Sequence, residues 1–111
     1  NKPNIDIFAR YGHLSLIILY NNNTPNVICT PAAMNLASEN GHHDIVIWLH
    51  NNSSEGCTRF AMNCASLHGH HDIVKFLHFN CHESCTSDAI GSALLFGHDD
   101  IVNFLKQHYP Q

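Results

Sequence analysis

The side chains best suited to chemistry in this chain are histidines and cysteines, of which there are eleven and five. They come closest together at His78, Cys81, His82 and Cys85. Thiolates and imidazoles at such short spacing can hold a tetrahedral zinc ion. However, His78 and Cys85 also recur at fixed intervals along the chain, so only Cys81 and His82 are particular to this cluster. We therefore assign no metal ligand and keep a zinc-binding module built on these four residues as an alternative hypothesis.

Nucleophilic catalysis is the second chemistry that the cysteines suggest. Cys57 and Cys85 lie beside expected helix starts, where the pKa of a thiol can fall. Cys29 occupies the same place one interval earlier, and such a regular recurrence is explained by packing, whereas a catalytic residue would be singular. The chain also has no glycine-rich phosphate loop and no obvious pair of acids. The sequence thus predicts a protein that is not an enzyme, with no catalytic residues and no cofactor.

A glycine followed by a histidine sets the organisation of the chain. This pair occurs at Gly12, Gly41, Gly69 and Gly97, in steps of 29, 28 and 28 residues. A fixed period of about 20 to 50 residues indicates stacked repeats, none of which can bury its apolar face alone. We expect a single array over 1–111, a segment of a longer one, with an incomplete first unit. The expected units are 1–28, 29–56, 57–84 and 85–111.

Each unit is expected to contain two antiparallel helices separated by that glycine. In the second unit, Thr30 and Pro31 are favoured at a helix start, and Gly41 accepts the left-handed conformation that ends the helix. The second helix begins after His42, with Asp44 in its first turn, where the helix dipole stabilises a carboxylate. The predicted fold class is therefore all-α, a solenoid of stacked antiparallel helix pairs. The loops between pairs are expected at 21–26, 51–56 and 79–84.

Most histidines are explained by their place in the repeat. One set follows the turn glycines and is interpreted as capping the second helix or bonding a neighbouring backbone group. This set is His13, His42, His70 and His98. A second set is interpreted as solvated residues on the surface of the second helices. That set is His43, His50, His71 and His78.

Composition limits the partners and the location. The formal net charge is −4 with only five Lys and Arg, which argues against binding nucleic acid or an anionic membrane surface. The longest apolar run, from Leu14 to Tyr20 and interrupted by Ser15, is far shorter than the about 20 residues that span a bilayer. Cys29, Cys57 and Cys85 belong to different stacked helices, too far apart for disulfides. We therefore expect an intracellular, cytoplasmic protein in a reducing compartment.

The second unit has a distinctive pattern of residues. Its run from Ala33 to His42 reads Ala-Met-Asn-Leu-Ala-Ser-Glu-Asn-Gly-His, followed by Asp44, Ile45, Val46 and Leu49. This pattern resembles an ankyrin repeat. The family unit has a Thr-Pro-Leu-His opening, a pair of small residues, Gly-His, and an acidic-Ile-Val-x-x-Leu helix. The Gly-His pair is kept in all four copies.

Two departures from the family pattern are clear. The period is 28 residues instead of about 33, and the histidine of the Thr-Pro-Leu-His opening is replaced by Asn35, Asn63 and Gly91. The resemblance therefore implies a shortened variant in which the β-hairpin finger between repeats is reduced or absent.

The resemblance implies a non-catalytic scaffold for protein–protein interaction, which binds a protein partner through the concave face of the first helices. Of the residues there, we hypothesise that Leu67 and Phe96 anchor the partner, while packing of these residues against a following helix stays open. A purely architectural spacer is a further alternative, and more repeats or domains are expected in the full-length chain. The candidate partner-binding residues are Arg10, Tyr11, Glu39, Asn40, Leu67, His68, Leu95 and Phe96.

Overall fold

A computed structural model describes residues 5–23, 31–52, 59–80 and 87–108 of the chain. Over these residues the chain forms eight α-helices and no strand, which confirms the all-α prediction. Successive helices pair into units 1 to 4, and the members of each pair are called helix one and helix two. The helices are α1 (Ile5–Tyr11), α2 (Leu14–Asn23), α3 (Pro31–Glu39), α4 (His43–Asn52), α5 (Arg59–Leu67), α6 (His71–Asn80), α7 (Ser87–Leu95) and α8 (Asp99–His108).

The turn between the two helices is built in the same way in every unit. In unit 2, the His42 N–H donates to the Ala37 carbonyl across Gly41 at 2.9 Å. This bond closes a helix in the Schellman arrangement, which requires a left-handed residue just before the donor. Gly41 supplies that residue with a φ of 78°, and the other turn glycines have φ between 77° and 79°. Because glycine adopts this conformation without steric cost, the Gly-His pair fixes where helix one ends.

Helix two begins directly after the turn histidine, as the sequence predicts. In unit 2, the N–H groups of Ile45 and Val46 donate to the His42 carbonyl. The Oδ1 atom of Asp44 also accepts a bond from the Ile45 N–H at 2.8 Å. These contacts satisfy amides that have no partner within the helix, so the first turn is well defined.

Stacking is closest between the first helices of successive units. α1 packs on α3, α3 on α5, and α5 on α7, while the second helices contact each other more sparsely. The close approach depends on small side chains, since Ala33, Ala61 and Ala89 are completely buried. Larger apolar side chains of helix two complete a core that continues through the units of this 45 × 23 × 19 Å solenoid. In unit 3 these are Ile73, Val74 and Leu77.

We call the contact between two successive units a joint. One position on helix one holds a small residue at each joint and a large residue in unit 4. Ala9, Ser38 and Ser66 occupy it in units 1 to 3, and all three are completely buried. The hydroxyls of Ser38 and Ser66 find no hydrogen-bond partner among the described residues. In unit 4 the position holds Leu94, which is 60% exposed because no described helix packs over it. Unit 4 thus departs from the repeat on the face that the other units use for stacking.

The second helices are longer than the sequence suggests. Asn23, Asn52 and Asn80 were expected in loops, but each is the last residue of its helix. The side-chain amide of each donates to the carbonyl oxygen four residues earlier at 2.9 Å. The loop prediction was wrong here because asparagine can bond the backbone of a helix as readily as that of a turn. The remaining loop residues, and with them the expected loss of the hairpin finger, lie outside the described residues, at 24–30, 53–58 and 81–86.

Candidate functional site

The candidate partner-binding residues occupy the two positions just before each turn glycine, at the end of helix one. In units 1 and 4 this surface is strongly exposed, at 63% for Tyr11, 78% for Leu95 and 58% for Phe96. In the middle units, Glu39 and Leu67 are half-buried. Because equivalent positions of stacked units follow one another along the solenoid, we call these eight residues the binding row. They are Arg10, Tyr11, Glu39, Asn40, Leu67, His68, Leu95 and Phe96.

Near the middle of the binding row, polar side chains of units 2 and 3 contact each other. His68 Nε2 lies 3.6 Å from Glu39 Oε1, and the contact is an ion pair only while His68 is protonated. The His68 ring also stacks on His70, with centroids 6.3 Å apart. The Asn40 side chain donates to the Leu36 carbonyl at 2.8 Å. The row therefore has polar side chains near its centre, the apolar pair Leu95 and Phe96 at one end, and Arg10 beside Tyr11 at the other end.

Cys64 lies beside this polar centre and, with His68 and Glu39, offers the residue types of a nucleophilic site. Cys64 is a free, half-buried cysteine. Burial raises the pKa of the Cys64 thiol, and the nearby Glu39 carboxylate raises it further. A reactive cysteine needs the opposite shift, because the thiolate is the nucleophile. These surroundings therefore keep Cys64 protonated rather than activating it.

A histidine from the following unit holds the backbone of the binding row. Nε2 of His42 donates to the Arg10 carbonyl oxygen at 3.1 Å, and Nε2 must carry the proton because a carbonyl only accepts. This contact, which we call the histidine hook, confirms for His42 the second of the two interpretations of the turn histidines, a bond to a neighbouring backbone group. The hook recurs for His70 with Glu39 at 2.9 Å and for His98 with Leu67 at 3.1 Å.

The turn glycines make room for the hooks. A Cβ atom added at Gly69 would lie 2.6 Å from Cε1 of His98, far inside van der Waals contact. Gly12 and Gly41 are crowded in the same way by the hooks over them. At Gly97, by contrast, an added Cβ would meet nothing within 4 Å. Among the described residues, the first three glycines thus serve both the turn and the contact with the next unit, whereas Gly97 contacts no such histidine.

The helix-two histidines are packed between units, which corrects the interpretation of them as solvated surface residues. His43 and His50 both lie edge-on against Phe76 of the following unit, with ring centroids 6.0 and 5.5 Å away. The sequence did not reveal this contact because it depends on how neighbouring units are aligned in space. The sequence did contain one signal, because these histidines and the phenylalanine that they contact all recur at the repeat period. The next joint repeats the contact, with Phe104 5.8 Å from His71 and 5.5 Å from His78.

The C-terminal ends of α6 and α8 form an aromatic cluster that was not predicted from the sequence. The His78 ring lies 4.7 Å from the rings of both Phe79 and His108, and Phe104 lies 4.2 Å from His108. Burial lowers the pKa of His78, and the nearby His108 lowers it further. An alignment of the repeats gives a signal for this site, because His108 stands where the preceding unit has Asn80.

The zinc hypothesis receives no support from the described residues. They contain no group of three or more His, Cys, Asp and Glu that could hold a metal ion. Of the four residues in the cluster, only His78 is described, and it contacts the aromatic rings named above. The other three, which lie outside the described residues, are Cys81, His82 and Cys85.

Stacked helix pairs, joined by backbone hooks and presenting a row of side chains to solvent, define an α-solenoid of the scaffold type. The family description "Ankyrin repeats (3 copies)" matches residues 34–111, well over half of the chain. The chain belongs to the ankyrin repeat family, whose repeats are generally protein–protein interaction modules. No curated protein and no solved structure matches the chain. Among the helices that the structure describes, none has the length and apolar character needed to cross a membrane.

Proposed function

We propose that this chain is a non-catalytic scaffold that binds a protein partner through the binding row. The observation that carries the proposal is the exposure of two adjacent large apolar side chains in unit 4, at 78% for Leu95 and 58% for Phe96. Contiguous exposed apolar surface often marks a site of protein interaction. Aromatic side chains that become buried in an interface also contribute more than their share of the binding energy.

Within the row, exposure favours Leu95 over Leu67 as the partner of Phe96. Leu67 is half-buried, and its carbonyl is held by the His98 hook. Leu95 occupies the same position in unit 4 and is largely open to solvent. We therefore propose Leu95 and Phe96 as the main anchors, in place of the pair Leu67 and Phe96 chosen from the sequence. Tyr11, which is 63% exposed, would add an apolar contact at the other end of the row.

The hooks support this role by fixing the backbone beneath the row. In units 1 to 3, the carbonyl of the first row residue is bonded to the following unit. A surface that is already ordered loses less conformational entropy when a partner binds. The row is thus suited to a partner that presents apolar side chains to Leu95 and Phe96 and polar groups to Glu39 and His68.

We also propose that the repeats act as one array with units 1–28, 29–56, 57–84 and 85–111, working in the reducing environment of the cytoplasm. The net charge of −4 favours a protein over a nucleic acid as the partner. Cys64, which is free and half-buried, is compatible with a compartment in which thiols stay reduced.

A binding assay with matched variants tests the proposed function. A partner captured from a lysate with the wild-type chain is purified, and its Kd is measured for the wild type, Leu95→Asp/Phe96→Asp and Leu19→Asp. Leu19 is the control because it is 53% exposed on helix two of unit 1, outside the row. We expect the row variant to lose at least about tenfold in affinity, or about 1.4 kcal/mol, and the control to bind as the wild type does. Equal affinity of the row variant, or an equal loss in the control, would contradict the proposal.

A further inference from the structure

Two imidazoles from different units meet at the outer ends of α6 and α8. The rings of His78 and His108 have centroids 4.7 Å apart and an interplanar angle of 63°. Phe79 and Phe104 pack against them and against each other, at a centroid distance of 6.2 Å. The pair therefore lies in a partly apolar setting at the joint between units 3 and 4.

The hydrogen bond of His108 fixes which of its ring nitrogens carries a lone pair. Nδ1 of His108 lies 2.9 Å from the Phe104 carbonyl oxygen. Because the carbonyl can only accept, Nδ1 is the donor, and in the neutral ring Nε2 then bears the lone pair. A backbone carbonyl bonded to one imidazole nitrogen is also the usual way in which proteins orient a histidine that binds metal through the other.

In its neutral form, His78 likewise has a lone pair on one of its ring nitrogens. The centroids of the His78 and His108 rings lie 4.7 Å apart, so one metal ion can be bound by a nitrogen of each ring. The geometry of the pair therefore suits a shared cation.

The preceding joint offers an internal comparison, in which Asn51 and Asn80 stand where the last joint has Phe79 and His108. There, His50 packs on Phe76 at 5.5 Å and 88°, which matches the contact of His78 in the next joint at 5.5 Å and 90°. The residue equivalent to His108 is Asn80, whose side-chain amide donates to the Phe76 carbonyl at 2.9 Å. Asparagine thus keeps the bond to the helix without offering an imidazole nitrogen. The histidine of unit 4 at this position adds a second imidazole beside the conserved contact of His78 with Phe104.

We propose that His78 and His108 together bind a divalent transition-metal cation of the Ni²⁺, Cu²⁺ or Zn²⁺ class, each through one ring nitrogen, with water completing the coordination. Imidazole suits these cations, whereas Ca²⁺ and Mg²⁺ prefer oxygen ligands. The bound ion bridges α6 and α8, whose direct contact is sparse. It therefore tightens the joint between the last two units.

Calorimetric titration with Ni²⁺ at neutral pH, on protein without a histidine tag, tests the site. The variants are His108→Asn, which copies the arrangement found at Asn80 and preserves the helix-end bond, and His50→Asn, which removes the equivalent histidine of the preceding joint. We expect the Ni²⁺ affinity to fall at least about tenfold in His108→Asn and to stay unchanged in His50→Asn. Circular dichroism confirms that both variants are folded.

The cysteines and histidine that follow α6 in the sequence require their own arm of the experiment. The variant Cys81→Ser/His82→Asn/Cys85→Ser removes them and leaves the proposed pair intact, so we expect it to retain Ni²⁺ binding. Paramagnetic Ni²⁺ should also broaden the ring proton signals of His78 and His108 before those of His50. Absence of Ni²⁺ binding in the wild type, or wild-type affinity in His108→Asn, overturns the proposal.

Discussion

The double role of the turn glycines yields a quantitative prediction from a comparison of Gly69→Ala with Gly97→Ala. Both residues have a left-handed φ, of 79° and 77°, so both variants bear the same backbone cost. That cost is about 1 kcal/mol after allowance for the stiffer unfolded chain. Only at Gly69 does the new methyl group meet a side chain, the imidazole of His98, at 2.6 Å.

The extra cost at Gly69 follows from displacing the hook. Moving the His98 ring breaks its bond to the Leu67 carbonyl, which is worth about 1 kcal/mol. Repacking the joint around the added methyl group costs a further about 1 to 3 kcal/mol. We therefore expect Gly69→Ala to lower the free energy of unfolding by about 3 to 5 kcal/mol, against about 1 kcal/mol for Gly97→Ala.

Urea unfolding followed by far-ultraviolet circular dichroism measures both variants, and a double mutant isolates the hook. In a His98→Ala background the clash is absent, so Gly69→Ala should then cost no more than Gly97→Ala does in the wild type. This non-additivity is the signature of two residues in direct contact. Equal losses for Gly69→Ala and Gly97→Ala in the wild-type chain, or strict additivity in the double mutant, would refute the reasoning.

Two further predictions concern a buried hydroxyl and a histidine. Ser66→Ala should stabilise the chain by about 1 kcal/mol in urea unfolding, because the serine hydroxyl is buried without a partner and Ala9 already fills the same position in unit 1; a destabilised variant would contradict this. The lowered pKa of His78 means that the unfolded chain binds this proton more readily than the folded one. Its contribution to stability is therefore lost as the pH falls below the ordinary value of 6.5 towards the lower folded pKa. In metal-free buffer, His78→Asn should reduce the pH dependence of unfolding over this range, and an unchanged profile would contradict the assignment.

The sequence was most informative about the turns and the starts of the second helices, and least informative about how side chains pack between units. The turn at Gly41 and the start of helix two after His42 follow from local conformational rules, so both could be predicted. The packing of His50 on Phe76 could not, because it depends on how far one unit is rotated and shifted against the next. The same limit applies to the binding row, where Leu67 and Leu95 are equivalent in sequence but differ in exposure.

The departures from the repeat are concentrated in unit 4, and this distribution carries the functional argument. Internal joints need small buried residues, and they need glycine where the histidine hook leaves no room for a Cβ atom, so these positions are constrained by stacking. Unit 4 instead has Leu94 at the small-residue position, Leu95 and Phe96 exposed in the row, and His108 where other units have asparagine. Among the described residues, Leu95 and Phe96 are exposed at the end of helix one, whereas His108 contacts His78 across the joint with unit 3. These are the side chains that we propose for a protein partner and for a metal ion, respectively.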